Sequence, residues 1–326
     1  MTDRPILVTG AAGFIGARLV EALNARGAAL VSCDEASFFA TRPEHAGLDF
    51  GEVVDRDALF AWLDAGAEVA GCLHMGACAD TRVKDRALFD RLNLDYSKEL
   101  WQRCVARNVP FVYASSASTY GDGTHGYVDD EHLIPMLEPM NEYGRSKHLF
   151  DLWALGQEQD GNAPGHWSGF KFFNVYGFGE RHKGEMASVV LKAFDQIRAR
   201  GRVRLFRSHH PDYADGEQTR DFVSVEDVVE VVLFALDKPI RRGVFNLGTG
   251  KGRTFKDLVL ATFAALDVPP DIEWVDTPED IRDQYQYFTQ ADMARLRGEG
   301  YDAPFLELED GVARYVARLR EAAGEA

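Results

Sequence analysis

Three short stretches of this chain carry residue types that can do chemistry together. In Tyr143-Gly-Arg-Ser-Lys147 a phenol and an ammonium stand four residues apart, which on a helix puts them on one face. An ammonium beside a phenol favours the phenolate and lowers the phenol from its ordinary pKa of about 10, making it a proton acceptor or donor near neutral pH. Ser116 lies in Ser115-Ser-Ala-Ser-Thr-Tyr120, directly after an apolar run, where its hydroxyl can hold a substrate hydroxyl toward Tyr143. Ser118 and Thr119 are further candidates, although such hydroxyls can instead close a turn by bonding backbone. The third stretch, Thr9-Gly-Ala-Ala-Gly-Phe-Ile-Gly16, sits between an apolar run and a helical pattern over 17–26. Gly10 permits a tight turn, Gly13 lets backbone approach a pyrophosphate, and Gly16 lets the helix pack closely on a sheet. The helix N-terminus then offers unpaired amides and a partial positive charge to the phosphates.

The elements that must position these groups follow from periodicity. A strand over 30–33 ends at Asp34 and Glu35, where an acid binds a ribose hydroxyl; Arg42, on the same loop, suits a 2′-phosphate instead. Asp49-Phe50 follows, to border an adenine ring or simply to end a strand. The apolar run 69–76 reads as a strand leading to Gly76 and Ala77, small enough for a cofactor to lie against backbone. Asn93 is expected to open a helix through residue 105. A strand over 111–114 precedes the serine-rich end, and spacing of Leu149, Phe150, Leu152 and Trp153 predicts a helix over 146–155. Residues 170–176 read as one strand entering a basic, glycine-flanked loop over 177–184, followed by a helix over 186–197 that carries Lys192. Helices over 228–236, 254–266 and 310–320 and a strand over 243–247 complete the reading.

Strand–helix alternation through residue 176 predicts an α/β fold, a Rossmann-like doubly wound parallel sheet with a smaller C-terminal substrate lobe. Residues 1–176 are assigned to the dinucleotide-binding domain, with 220–247 returning to it. Residues 177–219 and 248–326 form the smaller lobe, and substrate is expected in the cleft between the two. The net charge of −16 argues against non-specific binding to nucleic acid or an anionic membrane. A hydrophobic content of 46% and a charged content of 27% suit a globular protein. Of the four cysteines, Cys33, Cys72, Cys78 and Cys104, none share a C-x-x-C spacing, so reduced thiols are expected. No leader pattern or membrane-length apolar run is seen, so a cytoplasmic location is expected. No zinc-type cluster and no G-x-S-x-G elbow appears, and no metal is expected.

The glycine loop, Ser116, Tyr143 and Lys147 together resemble the extended short-chain dehydrogenase/reductase superfamily. Tyr113-Ala-Ser-Ser-Ala117, Phe173-Asn-Val-Tyr-Gly177, His182-Lys-Gly-Glu-Met-Ala-Ser-Val189, Phe288-Thr-Gln-Ala-Asp292 and Gly300-Tyr-Asp302 are similar, within it, to the ADP-heptose 6-epimerase family. The resemblance covers essentially the whole chain. It implies a nucleotide-sugar epimerase that inverts C6 of the heptose in an ADP-glycero-manno-heptose, a lipopolysaccharide inner-core precursor. Oxidation to a transient ketone by bound NAD(P), reorientation, and reduction from the other face would invert the centre.

The resemblance also implies roles. Tyr143 and Lys183 are the two acid/base groups, Ser116 positions the hydroxyl and Lys147 binds the nicotinamide ribose; a phosphate-binding Lys183 is the plainer alternative. Phe14, Ile15, Asp34, Glu35, Asn93 and Val175 are implied cofactor contacts. Asn174, Lys192, Phe206, Arg220 and Tyr285 are implied contacts of the ADP-sugar. NADP is the implied cofactor, with NAD left open, and a homo-oligomer the implied assembly. Three departures stand out: Glu35 replaces the usual Asn, Glu185 replaces a small hydroxyl residue, and the segment 207–219 is longer and holds His209 and His210. The competing readings are an epimerase of another nucleotide sugar and a non-catalytic NAD(P)-sensing protein.

Overall fold

The computed structural model describes residues 4–278, 282 and 286–325. In chain order, the first part comprises β1 (Ile6–Thr9), α1 (Phe14–Ala25), β2 (Leu30–Asp34), α2 (Ala36–Thr41), β3 (Glu52–Asp55), α3 (Leu59–Asp64), β4 (Gly71–His74), α4 (Arg86–Phe89), α5 (Tyr96–Arg107), β5 (Phe111–Ser116), α6 (Glu142–Gln159) and β6 (Trp167–Phe172). There follow β7 (Asn174–Tyr176), α7 (Val189–Arg200), β8 (Val203–Phe206), β9 (Thr219–Ser224), α8 (Val225–Asp237), β10 (Gly243–Leu247), β11 (Gly252–Thr254), α9 (Phe255–Ala265) and β12 (Ile272–Val275), then the helices Ala294–Gly298 and Leu308–Ala322.

Seven strands form one parallel sheet in the order β10-β6-β5-β4-β1-β2-β3. Its central strands are apolar and covered on both faces, as parallel strands must be: Leu7, Val8, Cys72, Leu73, Phe111 and Val112 have no solvent exposure. The order reverses direction beside β1, whose neighbours are β2 on one side and β4 on the other. The fold is therefore Rossmann-like, and its crevice lies beyond the ends of β1 and β4.

A second apolar core gathers α7, α9 and the C-terminal helix around Val203, Leu205 and Phe222, apart from the core of the large sheet. It is edged by a three-stranded sheet, β11-β9-β7, and a two-stranded one, β12-β8. The segment 223–247 packs instead on the large core, together with Ala291, Met293, Leu296 and Tyr301.

Three local expectations are corrected. The single strand over 170–176 is two: the Phe173 amide still bonds Leu247 O at 3.0 Å on the large sheet, and a tight turn in which Val175 N donates to Phe173 O at 2.9 Å then carries the chain to the small one, where β7 pairs β9. Asp49-Phe50 does not end a strand: Asp49 is tied to the Asn24 side chain, Phe50 packs on Phe39 and His45, and β3 starts after them. Asn93 does not open a helix; it sits in a wide π-helical turn, Asp90–Asp95, that joins α4 to α5. No described helix is long and apolar enough to cross a membrane.

Candidate active site

The crevice is built by backbone meeting backbone. Gly10 has φ of +65°, and a Cβ there would stand 2.6 Å from the Gly76 amide nitrogen. A Cβ on Gly16 would stand 2.0 Å from the Gly10 carbonyl oxygen, so only glycine lets α1 start this close. Gly13 begins α1 in extended conformation with no side-chain cap, which leaves first-turn amides for a ligand. Gly10, Gly13, Phe14, Ile15, Gly16, Gly76 and Ala77 all line a cleft of about 500 Å³.

A buried hydrogen-bonded chain holds the two loops together. The Thr9 hydroxyl accepts from the Gly76 amide at 3.2 Å and lies 2.6 Å from His74 Nδ1. His74 Nε2 lies 2.8 Å from Ser97 Oγ, which donates to the Asn93 carbonyl. Burial drives His74 down to about 3, so it is neutral, and the network assigns its proton to Nε2. The Asn93 side chain does not line the cleft but holds Cys78, which does: it accepts from Cys78 N at 2.8 Å and donates to Cys78 O and Ser146 Oγ, both at 2.9 Å. It shapes the cleft from behind.

At the end of β2, Asp34 lines the cleft, but its carboxylate accepts from the amides of Ala12 at 3.1 Å and Glu35 at 2.9 Å. It therefore fastens the glycine loop, and burial raises its pKa. The Glu35 carboxylate accepts from Ser37 Oγ at 2.8 Å and is not part of the lining. Arg42 lines the cleft, donates to the Ala12 carbonyl, and lies 4.3 Å from the Phe38 ring centroid. Arg56 lines it too. Sequence reasoning missed Arg56, which directly follows the end of β3 at Asp55, because it recognised no strand over 52–55.

Asn141 starts α6 by accepting from the Gly144 amide at 2.8 Å, and this puts Tyr143 in the first turn and Lys147 one turn later. The Ser116 hydroxyl, at the end of β5, lies near the Tyr143 phenol and acts to lower its pKa. The expected lowering of the phenol by its lysine is corrected. Shielding from solvent raises the Tyr143 pKa, with Ser116 opposing, because Lys147 Nζ is turned to the Ala114 carbonyl at 2.7 Å. Lys147 is buried and brought down to about 8 by desolvation, against the pull of Asp151.

Lys183 reaches the cleft from the opposite lobe. It lines the same cavity as the glycine loop, with Nζ 5.3 Å from the Phe14 ring centroid, and His182 and Met186 flank it. Burial lowers its pKa, with Glu180 opposing. Glu180 is fully buried and clamps the loop at its root, accepting from the Ser188 amide at 2.7 Å and the Ser188 hydroxyl at 2.5 Å. No sequence signal marked Glu180, since its partners lie beyond any local periodicity.

A second cleft, of about 600 Å³, is walled by Val189, Val203, Leu205, Phe206 and Phe255, with Lys192 at its edge. Arg220 lies 5.5 Å from the Phe255 ring centroid and donates to Thr219 O at 2.9 Å. Lys192 Nζ donates to the Glu185 carbonyl at 2.7 Å. Asn174 and Val175 lie on β7 outside the linings of both clefts, Asn174 exposed and Val175 packed against the large core. Tyr285 lies outside the described residues.

A parallel sheet whose switch point carries a glycine cradle, with a serine, a tyrosine and a lysine beside it, is the architecture of a nicotinamide-dependent enzyme. Residues 6–248 match the NAD dependent epimerase/dehydratase family, and the chain belongs to it. It is 46% identical over 97% of its length to the ADP-L-glycero-D-manno-heptose-6-epimerase of Nitratidesulfovibrio vulgaris, covering 98% of that protein. The protein of that name from Fusobacterium nucleatum is 41% identical, over 95% of this chain and 96% of its own. In structure, the ADP-L-glycero-D-manno-heptose-6-epimerase of Helicobacter pylori aligns with a TM-score of 0.82 at 26% identity, over 97% of this chain and 96% of that one.

Proposed function

We propose that this protein inverts C6 of the heptose in an ADP-glycero-manno-heptose through a transient ketone, with NADP as its resident cofactor. Kinship along nearly the whole chain supports the substrate class. The observation that carries the chemistry is Lys183, a second proton-exchanging group brought into the glycine-loop cleft from the other lobe.

The residues fit a nicotinamide dinucleotide: the Gly10–Gly76 contact leaves a cradle that a Cβ would fill, and the first turn of α1 has no side-chain cap. When bound, that group takes up and returns a hydride at the sugar carbon. The chain's own residues handle the proton and the geometry. Tyr143, beside Ser116, exchanges the hydroxyl proton in one orientation of the sugar. Lys183, whose pKa burial lowers, does so in the other. Lys147 is the ligand of the nicotinamide ribose. The apolar second cleft takes the adenine, while Lys192 and Arg220 supply positive charge for the diphosphate that a protein of net charge −16 otherwise lacks. Incubation with ADP-D-glycero-D-manno-heptose, followed by NMR at C6, is expected to show both epimers without added reductant. Unchanged configuration at C6 in protein loaded with cofactor would remove this reading.

Arg42 and Arg56 favour a 2′-phosphate, whereas Glu35 opposes it, its charge lying close enough to act on both arginines. Glu35→Asn is expected to raise the NADP/NAD affinity ratio and Arg42→Ala to lower it. Isothermal titration in which neither ratio moves would take both residues away from that ribose.

A further inference from the structure

Directly behind Ser116 lies a charged cluster that the reaction as described does not use. Lys171 on β6 and Asp151 on α6 have no exposed side-chain surface and meet at 2.8 Å. Asp151 also accepts from Ser115 Oγ at 2.7 Å and from Tyr113 Oη at 2.9 Å. Lys171 Nζ donates a second bond to Thr119 Oγ1 at 2.6 Å, and the Thr119 hydroxyl donates to the Ser116 carbonyl at 2.8 Å. Thr119 has no solvent exposure, so its hydroxyl serves this chain and not a substrate. Removing two charges from water offsets most of what their attraction returns, and well-packed apolar side chains would hold these elements together as well. Stability alone therefore gives no reason for the pair.

The geometry of Ser116 gives one. Its hydroxyl accepts from the Ser118 amide at 3.1 Å and lies near enough to the Tyr143 phenol to lower its pKa, so its direction toward that phenol depends on how the Ser116–Ser118 turn is held. The strand ends here, and among described residues the Ser116 carbonyl is held by Thr119, which is itself held by Lys171. We propose that Lys171 and Asp151 are positioning residues for the reaction, which act through Thr119 on the Ser116 peptide and so keep the Ser116 hydroxyl directed at Tyr143. This rests on the roles given above to Ser116 and Tyr143.

Thr119→Val tests it, because it deletes the relaying oxygen in nearly the same volume and leaves Lys171 paired with Asp151. A misplacement of about 1 Å in a reacting group lowers rate by up to about 10²-fold. Thr119→Val is accordingly expected to lower kcat by roughly 10- to 100-fold, with the KM for sugar and the affinity for NADP unchanged. Thr119→Ser, which keeps the hydroxyl, should restore kcat. Lys171→Met added to Thr119→Val should lose little beyond the worse single variant, since the two act as one unit. Should Lys171→Met fail to fold, the Thr119 pair still decides the matter. Ser116→Ala is measured alongside. Loss of kcat in Ser116→Ala but not in Thr119→Val overturns the relay alone. Wild-type kcat in Ser116→Ala overturns the relay together with the role of Ser116. A Thr119→Val variant in which KM and cofactor affinity deteriorate along with kcat, or which Thr119→Ser does not rescue, shows a structural role only and overturns it as well.

Discussion

Tyr143→Phe and Lys183→Met are each expected to slow epimerisation by roughly 10²–10⁴-fold while leaving fold and cofactor affinity intact. Inversion requires hydride to leave one face of the carbon and return to the other while the cofactor stays in place. The oxygen on that carbon therefore occupies two positions in turn, and one group can serve only one of them well. Tyr143 stands on α6 beside Ser116, in the large lobe, whereas Lys183 arrives over Phe14 on the loop clamped by Glu180. Burial acts on the two in opposite senses: it raises the phenol and lowers the ammonium. Both shifts favour the neutral form of each group relative to its free side chain. If both transfers are obligatory, the double variant loses little beyond the worse single one. Steady-state rates with the ADP-heptose decide this. A Lys183→Met variant with a raised KM and an unaltered kcat would make Lys183 a phosphate ligand and end the two-base scheme.

Gly13→Val is expected to abolish binding of the nicotinamide dinucleotide in a protein that still folds. The reason lies in the difference between the three loop glycines. Gly10 has positive φ and touches Gly76, and Gly16 touches the Gly10 carbonyl, so a side chain at either must break the backbone packing itself. Gly13 has φ of −77° and ψ of 178°, a conformation open to any residue, and its Cβ would meet the Gly10 carbonyl oxygen at 3.0 Å. A valine there fits these dihedral angles, asks the Gly10 carbonyl to give by a few tenths of an ångström, and puts methyl groups where the pyrophosphate must approach the amides of α1. Isothermal titration with NADP and NAD, alongside a thermal melt, checks both halves. Wild-type affinity in the folded variant would remove the pyrophosphate from this loop.

Residue order alone determined the features that depend on neighbours along the chain. The glycine loop between β1 and α1, the shared helix face of Tyr143 and Lys147, and the parallel sheet follow from spacing, because turns, helix faces and strand alternation are set within a few residues. Tertiary structure decided the partners. That Lys147 bonds Ala114 instead of lowering Tyr143, that Asp34 fastens the loop at Ala12, and that Arg56 lines the cleft all depend on which strands lie side by side. The break at Phe173 depends on a change of partner that no local spacing shows, from β10 before it to β9 after it. Lys171 and Asp151 were invisible in sequence for the same reason: a lysine on β6 and an aspartate on α6 become a pair only when β5 and β6 align and α6 packs across them. Burial then shifts Asp34, His74, Tyr143, Lys147 and Lys183 toward their neutral forms, and burial is a property of the whole fold and not of any stretch within it.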